Sequence, residues 1–129
     1  MSLKFRIFCL KISKLLVNKS LNLLGLDYID IIQVHDVEFA LSIDVILNET
    51  LPTLEKLKKQ GKVKMIGITG YPIEPLDQII EKSTVPIDMV LCYTRGSMAD
   101  QRLADYLPKW KKKGIFVVNA SPLGQKHPG

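Results

Sequence analysis

The chain has 129 residues, 47% of them hydrophobic and 24% charged, an ordinary globular composition that excludes disordered, collagen-like and coiled-coil chains and makes one domain the starting expectation. Its formal net charge is +5, yet the whole excess lies between Met1 and Leu26, where Lys4, Arg6, Lys11, Lys14 and Lys19 stand without an acid; the remainder is neutral. A basic face spread over the fold, as a nucleic-acid partner would need, is thereby excluded.

In chain order, Ile12, Leu15, Leu16, Leu23 and Leu24 keep a helical period that stops at Gly25, a residue suited to the position just past a helix end. Tyr28 to Val34 reads as a strand. Ile46, Leu47, Leu51, Leu54 and Leu57 return to helical spacing, with lysines in the last turn and Gly61 closing it,. Val63 to Thr69 is the second strand. Pro72 and Pro75 mark a turn and a helix start, and Leu76, Ile79 and Ile80 supply one apolar stripe up to Lys82,. Ile87 to Tyr93 is the third strand. A helix from about Asp100 to Lys113 carries Leu103, Tyr106, Leu107 and Trp110 on its core stripe and ends in three lysines and Gly114. The lysine run Lys111 to Lys113 reads as a solvated helix end that suits the negative end of the helix dipole. Ile115 to Asn119 is the fourth strand.

This helix–strand alternation is the signature of an α/β fold with parallel strands joined by crossover helices. Apolar runs such as Ile66-Gly67-Ile68 and Ile115-Phe116-Val117-Val118 belong to parallel sheets covered on both faces. An open sheet with helices on both sides and a contiguous piece of an eight-stranded βα barrel both satisfy the pattern. Cys9 and Cys92 form no CxxC and have no neighbouring His, so neither a disulfide framework nor a zinc site is expected and a reducing, cytoplasmic setting is. Basic residues interrupt the apolar start before it reaches signal-peptide length, and no stretch is long enough for a membrane span.

Both architectures place function at the carboxyl ends of the strands. Those ends are His35, Asp36 and Glu38 after the first strand, Thr69, Gly70 and Tyr71 after the second, Tyr93, Thr94 and Arg95 after the third, and Ala120 to Gly124 after the fourth. His35 can donate a hydrogen bond or pass a proton near neutral pH; a satisfied structural histidine is the plainer reading. Asp36 and Glu38 read as a solvated acidic turn rather than as metal ligands, and no metal is expected. Thr69-Gly70 offers a hydroxyl followed by an unhindered backbone. Ser121-Pro122-Leu123-Gly124 puts a hydroxyl, a rigid turn and a glycine where backbone amides can meet a phosphate. The chain has no GxGxxG, GxxxxGK[ST] or GxSxG, which removes sequence support for dinucleotide-fold, phosphate-loop and α/β-hydrolase readings.

The run from Leu24 to Asp36, Leu-Gly-Leu-Asp-Tyr-Ile-Asp-Ile-Ile-Gln-Val-His-Asp, resembles the aldo-keto reductase family. So do Glu49 to Leu57 with Pro52, Lys58-Lys59-Gln60-Gly61-Lys62-Val63, Ile66 to Gly70, and Ala120 to Gly124. Within the family the chain looks most like the L-galactose dehydrogenase type, through His35 to Phe39 and Gly67 to Gly70. The resemblance implies part of a (β/α)8 TIM barrel, about four central-to-late βα units, and an oxidoreductase using NADP or NAD on small carbonyl, aldose or alcohol substrates. Of the family's tyrosine, lysine, aspartate and histidine it maps only the histidine, onto His35, as a hydrogen-bond partner of the substrate carbonyl. It places Thr69 and Gly70 by the nicotinamide, and Ser121, Leu123 and Gly124 along the pyrophosphate. Many members carry Asn at Gly70, Gln near Val90 and a ring-stacking aromatic at Ala120; these departures argue against firm nicotinamide binding by this chain alone.

The resemblance further implies residues 13–124 as a partial barrel, 1–12 as an extension that does not match the family and 125–129 as a tail. Strands bearing the other three catalytic residues and the adenosine phosphate site are missing, so the expectation is an incomplete, inactive reductase segment. Four strands cut from a closed barrel leave two edges, Tyr28 to Val34 and Ile115 to Asn119, and self-association through them is the alternative. No nucleic-acid or membrane partner is expected.

Overall fold

The computed structural model describes residues 14–93 and 101–120. Its elements are α1 (Lys14–Leu24), β1 (Ile29–Val34), a 3-10 turn (Val37–Phe39), α2 (Ile43–Val45) running through a π turn (Ile46–Thr50) into α3 (Leu51–Lys59), β2 (Val63–Gly70), α4 (Ile73–Lys82), β3 (Met89–Tyr93), α5 (Leu103–Lys112) and β4 (Phe116–Ala120). The helix endings follow the chemistry expected of them. At Gly61, φ is 77°, the left-handed value glycine adopts without penalty. There the Gly61 N–H reaches the Lys58 carbonyl at 3.0 Å and the Lys62 N–H reaches Leu57 at 3.0 Å, turning the chain straight into β2,. Gly25 and Gly114 close α1 and α5 in the same way.

Pro52 explains the π turn. It has no N–H and its ring crowds the carbonyl four residues earlier. The turn just ahead of it widens, so that the Leu51 N–H bonds the Ile46 carbonyl five residues back,. Helical spacing alone does not reveal this. It places the apolar face correctly all the same: Ile46, Leu51, Leu54 and Leu57 are buried. α4 begins at Ile73 rather than at Pro75, because Pro72 is extended and ends the preceding loop.

The four strands are all parallel and lie in the order β1-β2-β3-β4. This monotone order lacks the reversal of a doubly wound sheet. With right-handed crossovers it sends every helix to the same side. Val34, Ile66, Ile68, Val90 and Cys92 point to that side and are fully buried among Leu54, Leu57, Leu76, Ile79 and Trp110. Each such aliphatic side chain contributes about 1.5–3 kcal/mol of transfer free energy. Two carboxylates pin the helices in place. Asp77 of α4 accepts from Trp110 Nε1 at 2.9 Å and from Lys109 Nζ at 2.9 Å. Asp88 accepts from Lys58 Nζ at 2.7 Å and from the Ile66 N–H at 2.8 Å.

The other face of the sheet corrects the expectation of cover on both sides. Met65 is 39% and Phe116 67% exposed, and Ile31, Leu91 and Val118 are only partly buried. Gln33 and Met89 on this face are buried, at 5% and 4%, and meet over Gly67, where Gln33 Nε2 lies 3.9 Å from Met89 Sδ. A side chain at Gly67 would crowd that contact, since its Cβ would stand 3.1 Å from Gln33 Cγ and 3.2 Å from the Met89 carbonyl, and Gln33 or the Met89 backbone would have to give by a few tenths of an ångström. Among the described residues β1 and β4 are the sheet's edges, as expected.

Candidate functional site

The carboxyl ends of β1, β2 and β3 bring His35, Asp36, Thr69 and Tyr93 together. Asp36 has φ 48°, the one positive value outside glycine among the described residues, and Asp is among the few side chains that tolerate it. That kink turns the chain out of β1 into the 3-10 turn and folds the carboxylate back onto its neighbour, with Asp36 Oδ2 3.2 Å from His35 Nδ1. The Asp36 N–H donates to Thr69 Oγ1 at 2.8 Å. On the far side of the ring, His35 Nε2 lies 3.3 Å from the Tyr93 hydroxyl. The His35 side chain remains 52% exposed, so one edge of this cluster faces solvent.

Tyr93 holds its proton more firmly than an ordinary phenol. Burial is the main cause; the Asp36 carboxylate and, more weakly, Glu38 push the same way, and a hydrogen bond from Thr69 works against them,. Tyr93 ends the third predicted strand level with His35 and Thr69. That position is the only signal in the sequence that could have marked it, and it carried no assigned role there.

The acidic turn is not the solvated loop expected of it. Glu38 Oε1 accepts from the Tyr71 N–H at 3.1 Å, while its Oε2 is buried without a partner. This oxygen occupies the space beside Gly70, where a Cβ would come within 2.9 Å of Oε2 and 3.3 Å of Leu76 Cδ2. A larger residue at 70 therefore requires Glu38 to move. Thr69 is 1% exposed, and its oxygen already accepts from Asp36. Ser121, Leu123 and Gly124 lie outside the described residues, immediately after β4. Among the described residues no group of three His, Cys, Asp or Glu could hold a metal ion, and no helix is long and apolar enough to cross a membrane.

The chain is similar to known proteins over most of its length. The aldo/keto reductase family model matches residues 15–126. The chain is 44% identical over 110 residues to the L-galactose dehydrogenase of Arabidopsis thaliana, covering 83% of this chain and 34% of that protein. It is 31% identical over 115 residues to the D-arabinose 1-dehydrogenase of Saccharomyces cerevisiae, covering 83% and 34%. Among solved structures, the holo form of aldo-keto reductase AKR11C1 from Bacillus halodurans superposes with a TM-score of 0.66 at 28% identity, covering 82% of this chain and 34% of that one. The chain thus spans about a third of the length of these relatives.

Proposed function

Because this chain belongs to the aldo/keto reductase family, with its sheet forming part of a TIM-type barrel, we propose that it supplies four consecutive βα units of an NAD(P)-dependent oxidoreductase acting on small carbonyl, aldose or alcohol substrates, and that by itself it is inactive. One observation carries the reading: a half-exposed His35 at the carboxyl end of β1, backed by Asp36 and by the ends of two neighbouring strands. An imidazole held this way can exchange a hydrogen bond with a substrate oxygen at neutral pH. The relatives' names point to sugar substrates, with an L-galactose dehydrogenase and a D-arabinose 1-dehydrogenase among them. A sequence with two distant cysteines and no CxxC fits a reducing, cytoplasmic setting.

The described residues do not by themselves fit a nicotinamide. Thr69 is buried with its oxygen engaged, and the open side of Gly70 is filled by the Glu38 carboxylate. Contacts from Ser121, Leu123 and Gly124 would have to supply the rest of the binding. Assays with NADPH and aldehydes, and with NAD and aldoses, are expected to show no turnover by the purified chain. Turnover that disappears in His35→Ala would overturn the inactivity and leave the family chemistry standing.

A second reading follows from Met65 and Phe116, exposed on the face opposite the helices. A half-barrel of this kind can cover that face and its two strand edges by pairing with a second chain. Sedimentation at micromolar concentration is expected to show association; a monomer with a sharp thermal transition would contradict it.

A further inference from the structure

We infer that Tyr93 is a positioning residue for His35: its hydroxyl, together with the Asp36 carboxylate, holds the imidazole in the Nδ1–H tautomer and leaves Nε2 as a hydrogen-bond acceptor on the ligand side. This rests on the reading of His35 as the ligand-facing group. A carboxylate only accepts hydrogen bonds, so the 3.2 Å contact between Asp36 Oδ2 and His35 Nδ1 puts the imidazole proton on Nδ1. A neutral imidazole has one donor and one acceptor. Nε2 is then the acceptor, and the Tyr93 hydroxyl at 3.3 Å donates to it.

Thr69 fixes Asp36 from the other side. Its oxygen accepts from the Asp36 N–H at 2.8 Å, which ties Asp36 to the end of β2. Tyr93 thus donates to His35, His35 faces Asp36 with its N–H, and the Asp36 backbone N–H donates to Thr69, all in one direction. The other tautomer would set a bare Nδ1 lone pair against the Asp36 carboxylate and its one N–H against the Tyr93 hydroxyl, whose own proton would then have no acceptor on His35. The consequence is chemical. A ligand oxygen arriving at Nε2 meets an acceptor, so among the substrates proposed above the group recognised there in this tautomer is the hydroxyl of an aldose or alcohol, exchanged for the hydroxyl of Tyr93.

The test is a ¹⁵N NMR spectrum of the full chain carrying His127→Gln, which leaves His35 as its only imidazole, recorded where the ring is neutral and with no substrate or cofactor added. The expected spectrum has a protonated Nδ1 and an unprotonated Nε2. In Tyr93→Phe the Nε2 resonance moves further to high frequency as it loses its donor. In Asp36→Gly, which tolerates the positive φ, the difference between the two nitrogens shrinks. A proton on Nε2 in the unsubstituted site overturns the inference, and so does an Nε2 resonance unmoved in Tyr93→Phe. The first result stands even where a variant fails to fold. Because nothing is turned over, failure of the oxidoreductase reading in an activity assay leaves this result intact, and the reverse also holds.

Discussion

The two faces of the sheet are built from the same strands and the same residue types, yet they end differently. Toward the helices, Val34, Ile66, Ile68, Val90 and Cys92 are all at 0% exposure. Toward the other side, Met65 and Phe116 stand at 39% and 67%. The register pairs Ile31 with Met65 and Met89 with Phe116, so these side chains line one face of neighbouring strands, in the way that fills the interior of a closed βα barrel. One face draws its partners from the chain's own helices. The other needs strands that the described residues do not contain, which matches a chain spanning about a third of its relatives.

The largest expected effect lies on the helix side. Trp110 is fully buried and donates to Asp77, so Trp110→Ala leaves both a cavity and a carboxylate with one of its two donors gone. The expected loss is about 3–5 kcal/mol, a large share of the roughly 5–15 kcal/mol that holds an ordinary domain together. Phe116→Ala is expected to change stability by no more than about 0.5 kcal/mol, as at other solvent-facing positions. Urea unfolding followed by circular dichroism compares the two, since Trp110 is the only tryptophan and its fluorescence is lost with it. Equal losses in the two variants would mean that the second face is covered after all.

The smallest effect is a titration at the strand ends, where the two faces meet the site. The raised Tyr93 value means that the folded chain holds this proton more tightly than the unfolded chain does. Its stabilising contribution is present below the ordinary tyrosine value of about 10 and is lost as pH rises through the higher folded value. Ultraviolet titration should show a late-ionising tyrosine that disappears in Tyr93→Phe, and the alkaline fall in stability should be shallower in that variant. A late component that survives in Tyr93→Phe would assign it elsewhere.

Most of the fold was readable in the sequence because the signals are local. Gly25, Gly61 and Gly114 end their helices, and the apolar stripes of α3 and α4 predict the residues found buried. The family was readable from the ordered motifs around His35 and Thr69-Gly70. What could not be read depends on register and on long-range packing. His35 and Tyr93 lie 58 positions apart, and only the pairing of β1 with β2 and of β2 with β3 brings their strand ends together. Glu38 looks like a solvated acid until the turn places it beside Gly70. The apolar run around Phe116 predicts cover on two faces because composition records what a strand was shaped to meet, whether or not the partner lies within the chain.

Methionine oxidation measures the difference between the faces most directly. Met65 and Met89 lie on the same face, one 39% and the other 4% exposed. Dilute chain is treated with peroxide, sampled over time and peptide-mapped by mass spectrometry. Met65 is expected to oxidise at a rate near that of a free methionine, well ahead of Met89. Equal protection of the two would contradict an uncovered inner face, and with it the account of this chain as an open segment of a barrel.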